Sequence, residues 1–227
     1  MKFGIIFAMK EELEAAKEYF DFKKKYNFYN LEILEYEYKN CTCYFLESGI
    51  GKVNAARATQ VLIDKFEIDY ILNVGVAGGV MRGVLQGDVV IAEKLVQHDY
   101  DLTSFGHEKG LIPGVGKYIP CDEKLVSLAK KVKLDNKVHT GVVASGDIFV
   151  FENWMGEKIN TKFNAMCVEM EGAAIAQVCY LCKIPFLVIR SISDSPYQDD
   201  NKVAFLEFLE ESCSVVAEFL KKFLNNF

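Results

Sequence analysis

Apolar positions along the chain fall into short runs separated by segments with helical spacing. Phe3–Ala8 is an apolar run, and Glu11–Phe20 repeats its apolar residues at the three-and-four interval of a helix. Leu31–Tyr38 alternates, with Tyr44–Leu46 as its expected antiparallel partner. Gly49-Ile50-Gly51 marks a turn, and Lys52–Phe66 reads as a helix. Tyr70–Val76 reads as a buried strand closed by Ala77-Gly78-Gly79, and Asp88–Ala92 as the next strand. Between Gln97 and Pro120 the period is lost, and a loop this long in a compact domain is usually functional or an interface. Then come a helix at Lys124–Val132, an apolar run at Val138–Ala144, a short strand at Ala165–Val168 and a helix at Gly172–Cys182. Phe186–Ile189 reads as the last buried strand and Val203–Leu224 as a long closing helix. Strands alternating with helices predict an α/β fold, a mixed or mainly parallel sheet with helices on both faces. No linker or repeat interrupts residues 1–227, so one domain is expected.

Composition narrows the class. A hydrophobic fraction of 51% supplies a substantial core, and a net charge of -6 argues against nucleic acid as a partner. Lys23-Lys24-Lys25 and Lys130-Lys131 are expected on solvated helix faces. No apolar run approaches the roughly 20 residues of a membrane span. The apolar stretch in MKFGIIFAMKEE is too short for a signal peptide, so a soluble, cytoplasmic chain is expected. The seven cysteines are read as reduced core thiols. Cys41-x-Cys43 fits a strand, and Cys179-x-x-Cys182 lacks the second pair and nearby histidine of a metal site. His98, His107 and His139 have no ligand spacing, and neither a P-loop nor HExxH occurs. Neither a metal nor another cofactor is expected.

In open α/β sheets ligands bind beyond the carboxyl ends of the strands. Those exits carry Met9, Lys10, Glu11 and Glu12; Ala77, Gly78 and Gly79; Ser145-Gly146-Asp147 with Phe149 and Val150; Glu169-Met170-Glu171; and Arg190 through Asp194. Converging, they would make a cleft with several carboxylates, one guanidinium and apolar walls. Taken alone, Glu11 and Glu12 fit the first turn of a helix equally well, where acidic residues favour the dipole. Gly75-x-x-Gly78-Gly79 is not a dinucleotide fingerprint, but its small residues let a ligand approach the backbone closely.

The ordered segments MKFGIIFAMKEE, SGIGKVNAA, NVGVAGGV, GDVV, FGHEKGLIPG, SGDIFV, VEMEGAAIAQVC and PFLVIRSISD resemble 5'-methylthioadenosine/S-adenosylhomocysteine nucleosidase, of the nucleoside phosphorylase superfamily. The resemblance runs from Met1 to about Phe208. It implies a single-domain, three-layer α/β/α fold around a mixed, partly barrel-like sheet. It also implies a homodimer, no cofactor, and hydrolysis of the N-glycosidic bond of a small adenine nucleoside. Breaking that bond builds positive charge on the ribosyl ring and negative charge on the base, so one carboxyl activates water and another protonates the leaving group.

By the resemblance Glu12 activates water, Asp194 protonates adenine N7, and Ser193 orients Asp194. Glu171 holds the ribose hydroxyls. Arg190 pairs with Glu12 or Glu169 and orients the water, with a structural ion pair as the other reading. Phe149 stacks on the base and the Val150 backbone reads it, over a floor of Ala77, Gly78 and Met170. Met9, Ile50, Leu102, Phe105, Pro113 and Phe205 match the pocket for the 5'-thio group, with Phe105 and Pro113 reaching the partner's site.

Three positions depart from the family: Val76 for a frequent Ser, His107 for a frequent Tyr, and a different Ser195–Lys202 segment. Val76 with His107 resembles relatives that accept 6-amino-6-deoxyfutalosine. Purine nucleoside phosphorylase is the rival reading. Its G-D-P-x-R stretch and second arginine are replaced here by Ala8-Met9-Lys10-Glu11-Glu12 and by Asn73. A carboxylate where phosphate would sit repels it. A non-catalytic nucleoside-binding protein is the other alternative, and retention of Glu12 and Asp194 argues against it.

Overall fold

Phe3, Ile5, Ile6 and Phe7 have no solvent exposure, and they form β1 (Lys2–Phe7). This strand runs parallel to β4 (Cys41–Glu47) on one side and β5 (Tyr70–Gly79) on the other. A strand covered on both faces has no polar face to alternate with, which explains its continuous apolar run. The computed structural model describes residues 1–195, the backbone course of 201–207, and residues 208–227. Its remaining strands are β2 (Lys24–Phe28), β3 (Leu31–Tyr38), β6 (Val89–Gln97), β7 (Ile119–Pro120), β8 (Val138–Ser145), β9 (Ala165–Glu169) and β10 (Phe186–Asp194). The helices are α1 (Lys10–Lys17), α2 (Lys52–Phe66), α3 (Glu123–Ala129), α4 (Asn153–Phe163), α5 (Gly172–Cys182) and α6 (Asn201–Leu224).

One mixed sheet carries all of these strands. From β5 it runs outward through β1, β4 and β3 to β2. In the other direction β5, β10, β6, β8 and β9 close into a five-stranded ring. The seam is the short antiparallel pairing of Gly78 with Val168 and Gly79 with Cys167. The α1–α6 and α2–α5 pairs cover the sheet, with α6 on β10 and β5, α2 on β1, and α5 on β8 and β6. The expected α/β/α layering with a partly barrel-like sheet is therefore the fold that forms.

Several boundaries differ from the sequence reading. β5 continues through Gly79, β6 through Gln97 and β10 through Asp194, because pairing around the closed ring supplies the hydrogen bonds that Gly and Ser do not favour locally. β2 and α4 were not expected. Lys24 and Lys25 lie on the exposed edge strand β2 rather than on a helix, where their charge discourages pairing with another chain. Lys130 is the C-cap of α3, and Lys131 lies just beyond it. All seven cysteines are free, and all but Cys182 are buried. Among the described residues no helix is long and apolar enough to cross a membrane.

Candidate active site

Glu12 is the third residue of α1, immediately after β1, and is 1% exposed. Its Oε2 accepts the Ala8 and Met9 N–H groups at 2.8 and 3.1 Å, and its Oε1 accepts the Val76 N–H at 2.9 Å. The carboxylate thus caps its own helix and is pinned to β5. Burial pushes its pKa up, against the opposing pull of the Arg190 charge and the three N–H donors. A raised carboxyl is the stronger base near neutral pH.

Asp194 and Ser193 end β10. In a regular strand neighbours face opposite sides of the sheet. Here the register against β5 shifts between Ile192, which pairs with Ala77, and Asp194, which pairs with Gly78. This bulge lets both Ser193 and Asp194 line the same cavity. Ser193 Oγ donates to Asp194 Oδ1 at 2.7 Å, and the Ser193 carbonyl accepts from Gln86 at 2.6 Å. A Cβ on Gly78 would stand 3.1 Å from Asp194 Oδ2, so the carboxyl rests against the β5 backbone.

Glu171 is the N-cap of α5 and is 4% exposed. Its Oε1 accepts the Gly51 N–H at 2.7 Å. Burial, then the neighbouring Glu169 charge, push its pKa up to about 7, against Arg190 and the Gly51 donor. Glu169 takes another role. Its Oε2 accepts the Glu171 and Gly172 N–H groups at 3.0 and 2.7 Å and pairs with Arg190, while its Oε1 accepts from Ser145 Oγ.

Arg190 is fully buried, and its Nη2 bonds Glu169 and Asn73. Burial opposes its charge, but Glu169, Glu171 and Glu12 more than offset that and hold its pKa up. Of the two pairings expected for Arg190, Glu169 is the one that forms. A Cβ on Gly75 would collide with both Arg190 Nη1 and Glu12 Oε1, so glycine lets these two groups close on β5.

The convergent side chains enclose a cavity of about 110 Å³ lined by Glu12, Glu171, Asp194 and Ser193 among apolar walls. Met9, Ile50, Ala77, Gly78, Phe149 and Met170 line it as expected. Ala8, Val76 and Val168 join them. Ile50 and Phe149 stand at its rim, 54% and 44% exposed. A larger groove between α1 and α6 mixes lysines and glutamates with Ala15, Leu209 and Cys213 and shares no lining residue with this cavity.

Other expected residues sit elsewhere. The Val150 side chain belongs to a separate buried apolar cluster that includes Phe163 and Val142, and only its backbone is left for the expected role. Glu169 and Arg190 lie behind the cavity and are not among its lining. Phe105 is 79% exposed, Pro113 is exposed, and neither these nor Leu102 line the cavity of a single chain. The Phe205 side chain and most of the Ser195–Lys202 segment lie outside the described residues. Sequence reasoning assigned no role to Gly51, whose signal is a glycine turn before a helix. It saw Asn73 only as the place of a missing arginine. In the fold Asn73 holds Arg190 and donates to the Ile6 carbonyl at 3.0 Å. Among the described residues no group of His, Cys, Asp and Glu suits a metal ion.

Comparison with known proteins identifies the family. Residues 2–226 match the phosphorylase superfamily. The chain is 39% identical to a 5'-methylthioadenosine/S-adenosylhomocysteine nucleosidase of Geobacillus sp. over 97% of this chain and 96% of that protein. A crystal structure of a mutant Helicobacter pylori enzyme of this kind, with 5'-methylthioadenosine in the active site, superposes with a TM-score of 0.95 at 35% identity, covering 100% and 99% of the two chains. The native structure of Helicobacter pylori futalosine hydrolase gives the same TM-score and identity, covering 100% and 98%. The chain therefore belongs to the 5'-methylthioadenosine/S-adenosylhomocysteine nucleosidase family of the phosphorylase superfamily.

Proposed function

We propose that this enzyme hydrolyses the bond between ribose C1' and adenine N9 of 5'-methylthioadenosine and S-adenosylhomocysteine, releasing adenine and the 5'-substituted ribose. The carrying observation is the pairing of Glu12 and Asp194, two buried carboxyls on different strand exits that line one cavity. Glu12 takes a proton from water as its oxygen bonds to C1'. The C1'–N9 bond breaks toward the base, and Asp194 supplies the proton that adenine accepts at N7. Glu171 holds the ribose hydroxyls, and its carboxylate form offsets the charge that develops on the ribosyl ring. Ser193, bonded to Asp194 Oδ1, fixes the acid's orientation.

Phe149 at the rim supplies a stacking ring for the purine, with the Val150 backbone as its reader. Met9 and Ile50 offer apolar surface to the 5'-thio group. Arg190 and Glu169 act from behind as an ion pair that stiffens Glu171 and the β5 backbone. Phosphate is a poor nucleophile for this site: the described lining contains three carboxylic acids and neither lysine nor arginine. The exposure of Phe105 supports a homodimer in which Phe105 and Pro113 complete the partner's thio pocket. The superfamily match across residues 2–226 supports one working domain. Its place in this reading is the cytoplasm, in methionine salvage.

A second reading widens the substrate to 6-amino-6-deoxyfutalosine and 5'-deoxyadenosine. It is favoured by Val76 in the lining and by the similarity to the futalosine hydrolase. Adenine release from 5'-methylthioadenosine, S-adenosylhomocysteine and 6-amino-6-deoxyfutalosine, with and without phosphate, tests both readings. Activity that requires phosphate contradicts the first, and inertness toward the futalosine derivative contradicts the second.

A further inference from the structure

Three loops meet beside the cavity at a charged cluster that the hydrolytic roles leave unused. Asp99 follows β6, Asp147 follows β8, and Lys52 opens α2 directly after the Gly49–Gly51 turn. Asp99 Oδ1 accepts from Lys52 Nζ at 2.8 Å, and Asp99 Oδ2 accepts the Asp147 N–H at 3.0 Å. Asp147 Oδ1 in turn accepts the Lys52 N–H at 2.9 Å. Lys52 Nζ also donates to Gln97 Oε1 at 3.2 Å, and Gln97 Nε2 donates to Gln177 of α5 at 2.7 Å. The Lys52 and Asp99 side chains are only 19% and 17% exposed, so water and salt screen this pair less than a surface pair. Burial pushes the Asp99 carboxyl up, but the Lys52 and Asp147 donors outweigh it and hold the group below the usual carboxylate range.

The cluster bears on Gly51. Its φ of +97° is one that L side chains rarely adopt, and a Cβ there would stand 3.2 Å from Asp147 Oδ1. A glycine turn has little stiffness of its own. Yet the Gly51 N–H meets Glu171 Oε1 at 2.7 Å. The next residue, Lys52, is held at its backbone by Asp147 and at its ammonium by Asp99, and this restraint comes from outside the turn.

We propose that Asp99 is a positioning residue for the cleavage reaction, holding Lys52 and Asp147 so that the Gly51 N–H stays on one Glu171 oxygen and the other is left for the ribose hydroxyls. The inference rests on the hydrolase reading above. Asparagine is not an equivalent here, because Asp99 accepts on both oxygens and an amide offers one acceptor.

The test compares the wild type with Asp99→Asn, Lys52→Met and the double variant. It measures kcat and KM for 5'-methylthioadenosine together with the affinity for free adenine, which carries no ribose. Asp99→Asn is expected to raise KM about tenfold, the worth of one charge-assisted hydrogen bond, with a smaller change in kcat and unchanged adenine affinity. Lys52→Met shifts KM in the same direction, and the double variant is no worse than the more impaired single one. If Asp99→Asn does not fold, Lys52→Met carries the same comparison, since it removes the ion pair and leaves the Asp99–Asp147 bond. An unchanged KM, or adenine affinity falling in step with it, overturns the inference while the hydrolase reading stands. A wild type that releases no adenine overturns that reading, and this inference with it.

Discussion

Glu12 Oε1 accepts the Val76 N–H at 2.9 Å, joining the start of α1 to β5. The bond fixes the distance between the first strand exit and the glycine-rich exit of β5, where Gly78 backs Asp194. The two carboxyls proposed as acid and base are thereby referred to one strand: Glu12 through its hydrogen bond, and Asp194 through its register with Gly78. Preorganised groups of this kind spend no reorganisation energy at the moment of reaction.

Glu12→Gln and Asp194→Asn should each lower kcat on 5'-methylthioadenosine by about 100- to 10,000-fold, the usual worth of a general acid or base. Both should still bind a non-hydrolysable substrate analogue, because Phe149, Met170 and Glu171 remain in the lining. Steady-state kinetics with calorimetric binding checks this, and undiminished turnover in either variant removes that residue from its role.

Glu171 should make stability depend on pH. Its folded pKa of about 7 lies above the ordinary value of 4.5, so the folded state holds its proton over that interval while the unfolded state has lost it. The contribution is full below pH 4.5 and lost as pH rises to 7, by an amount on the order of 3 kcal/mol. Urea titrations from pH 4.5 to 7.5 should therefore show a smaller decline for Glu171→Gln than for the wild type. Parallel curves would assign the effect elsewhere.

Gly75→Ala should be the most damaging of the small substitutions. The added Cβ meets the buried Arg190 guanidinium and the buried Glu12 carboxylate together, and would displace both from their hydrogen bonds. A loss of about 3 kcal/mol or more is expected, as for severe overpacking. Gly78→Ala, with a wider and tolerable 3.1 Å approach to Asp194 Oδ2, should fold and lose kcat instead. Thermal unfolding and kinetics of the two variants distinguish these outcomes.

Arg190→Met should destabilise the protein by roughly 3–5 kcal/mol, because it leaves the buried Glu169 carboxylate without its ion partner. If Arg190 instead contributed only through water placement, the variant would lose kcat at unchanged stability. Denaturant unfolding beside a kcat measurement separates the two.

The strand exits were legible because β1, β5 and β10 are buried along most of their length, and their apolar runs stop at charged residues after β1 and in β10 and at glycines in β5. The edge strand β2 was not legible, since Lys24, Lys25 and Asn27 face solvent and leave only Tyr26 and Phe28 as a pattern. α4 contains Gly156, Asn160 and Thr161, all weak helix formers, although its buried Gly156, Ile159 and Phe163 keep helical spacing and were a usable signal. In the site, Glu12, Glu171 and Asp194 could be named from sequence because they are side chains. The Gly51 and Val76 N–H groups that hold two of them are backbone atoms, which every residue type but proline supplies. The division between cavity-lining Glu171 and structural Glu169 depends on where each side chain turns after β9, and the VEMEG spacing alone does not decide that.

The most direct measurement follows cleavage of 5'-methylthioadenosine in phosphate-free buffer prepared with ¹⁸O-labelled water. The predicted result is rapid adenine release with ¹⁸O at C1' of the thioribose product, at a rate that added phosphate does not raise. Release only when phosphate is added, with a ribose 1-phosphate as product, would contradict the assignment of Glu12 as the base that activates water.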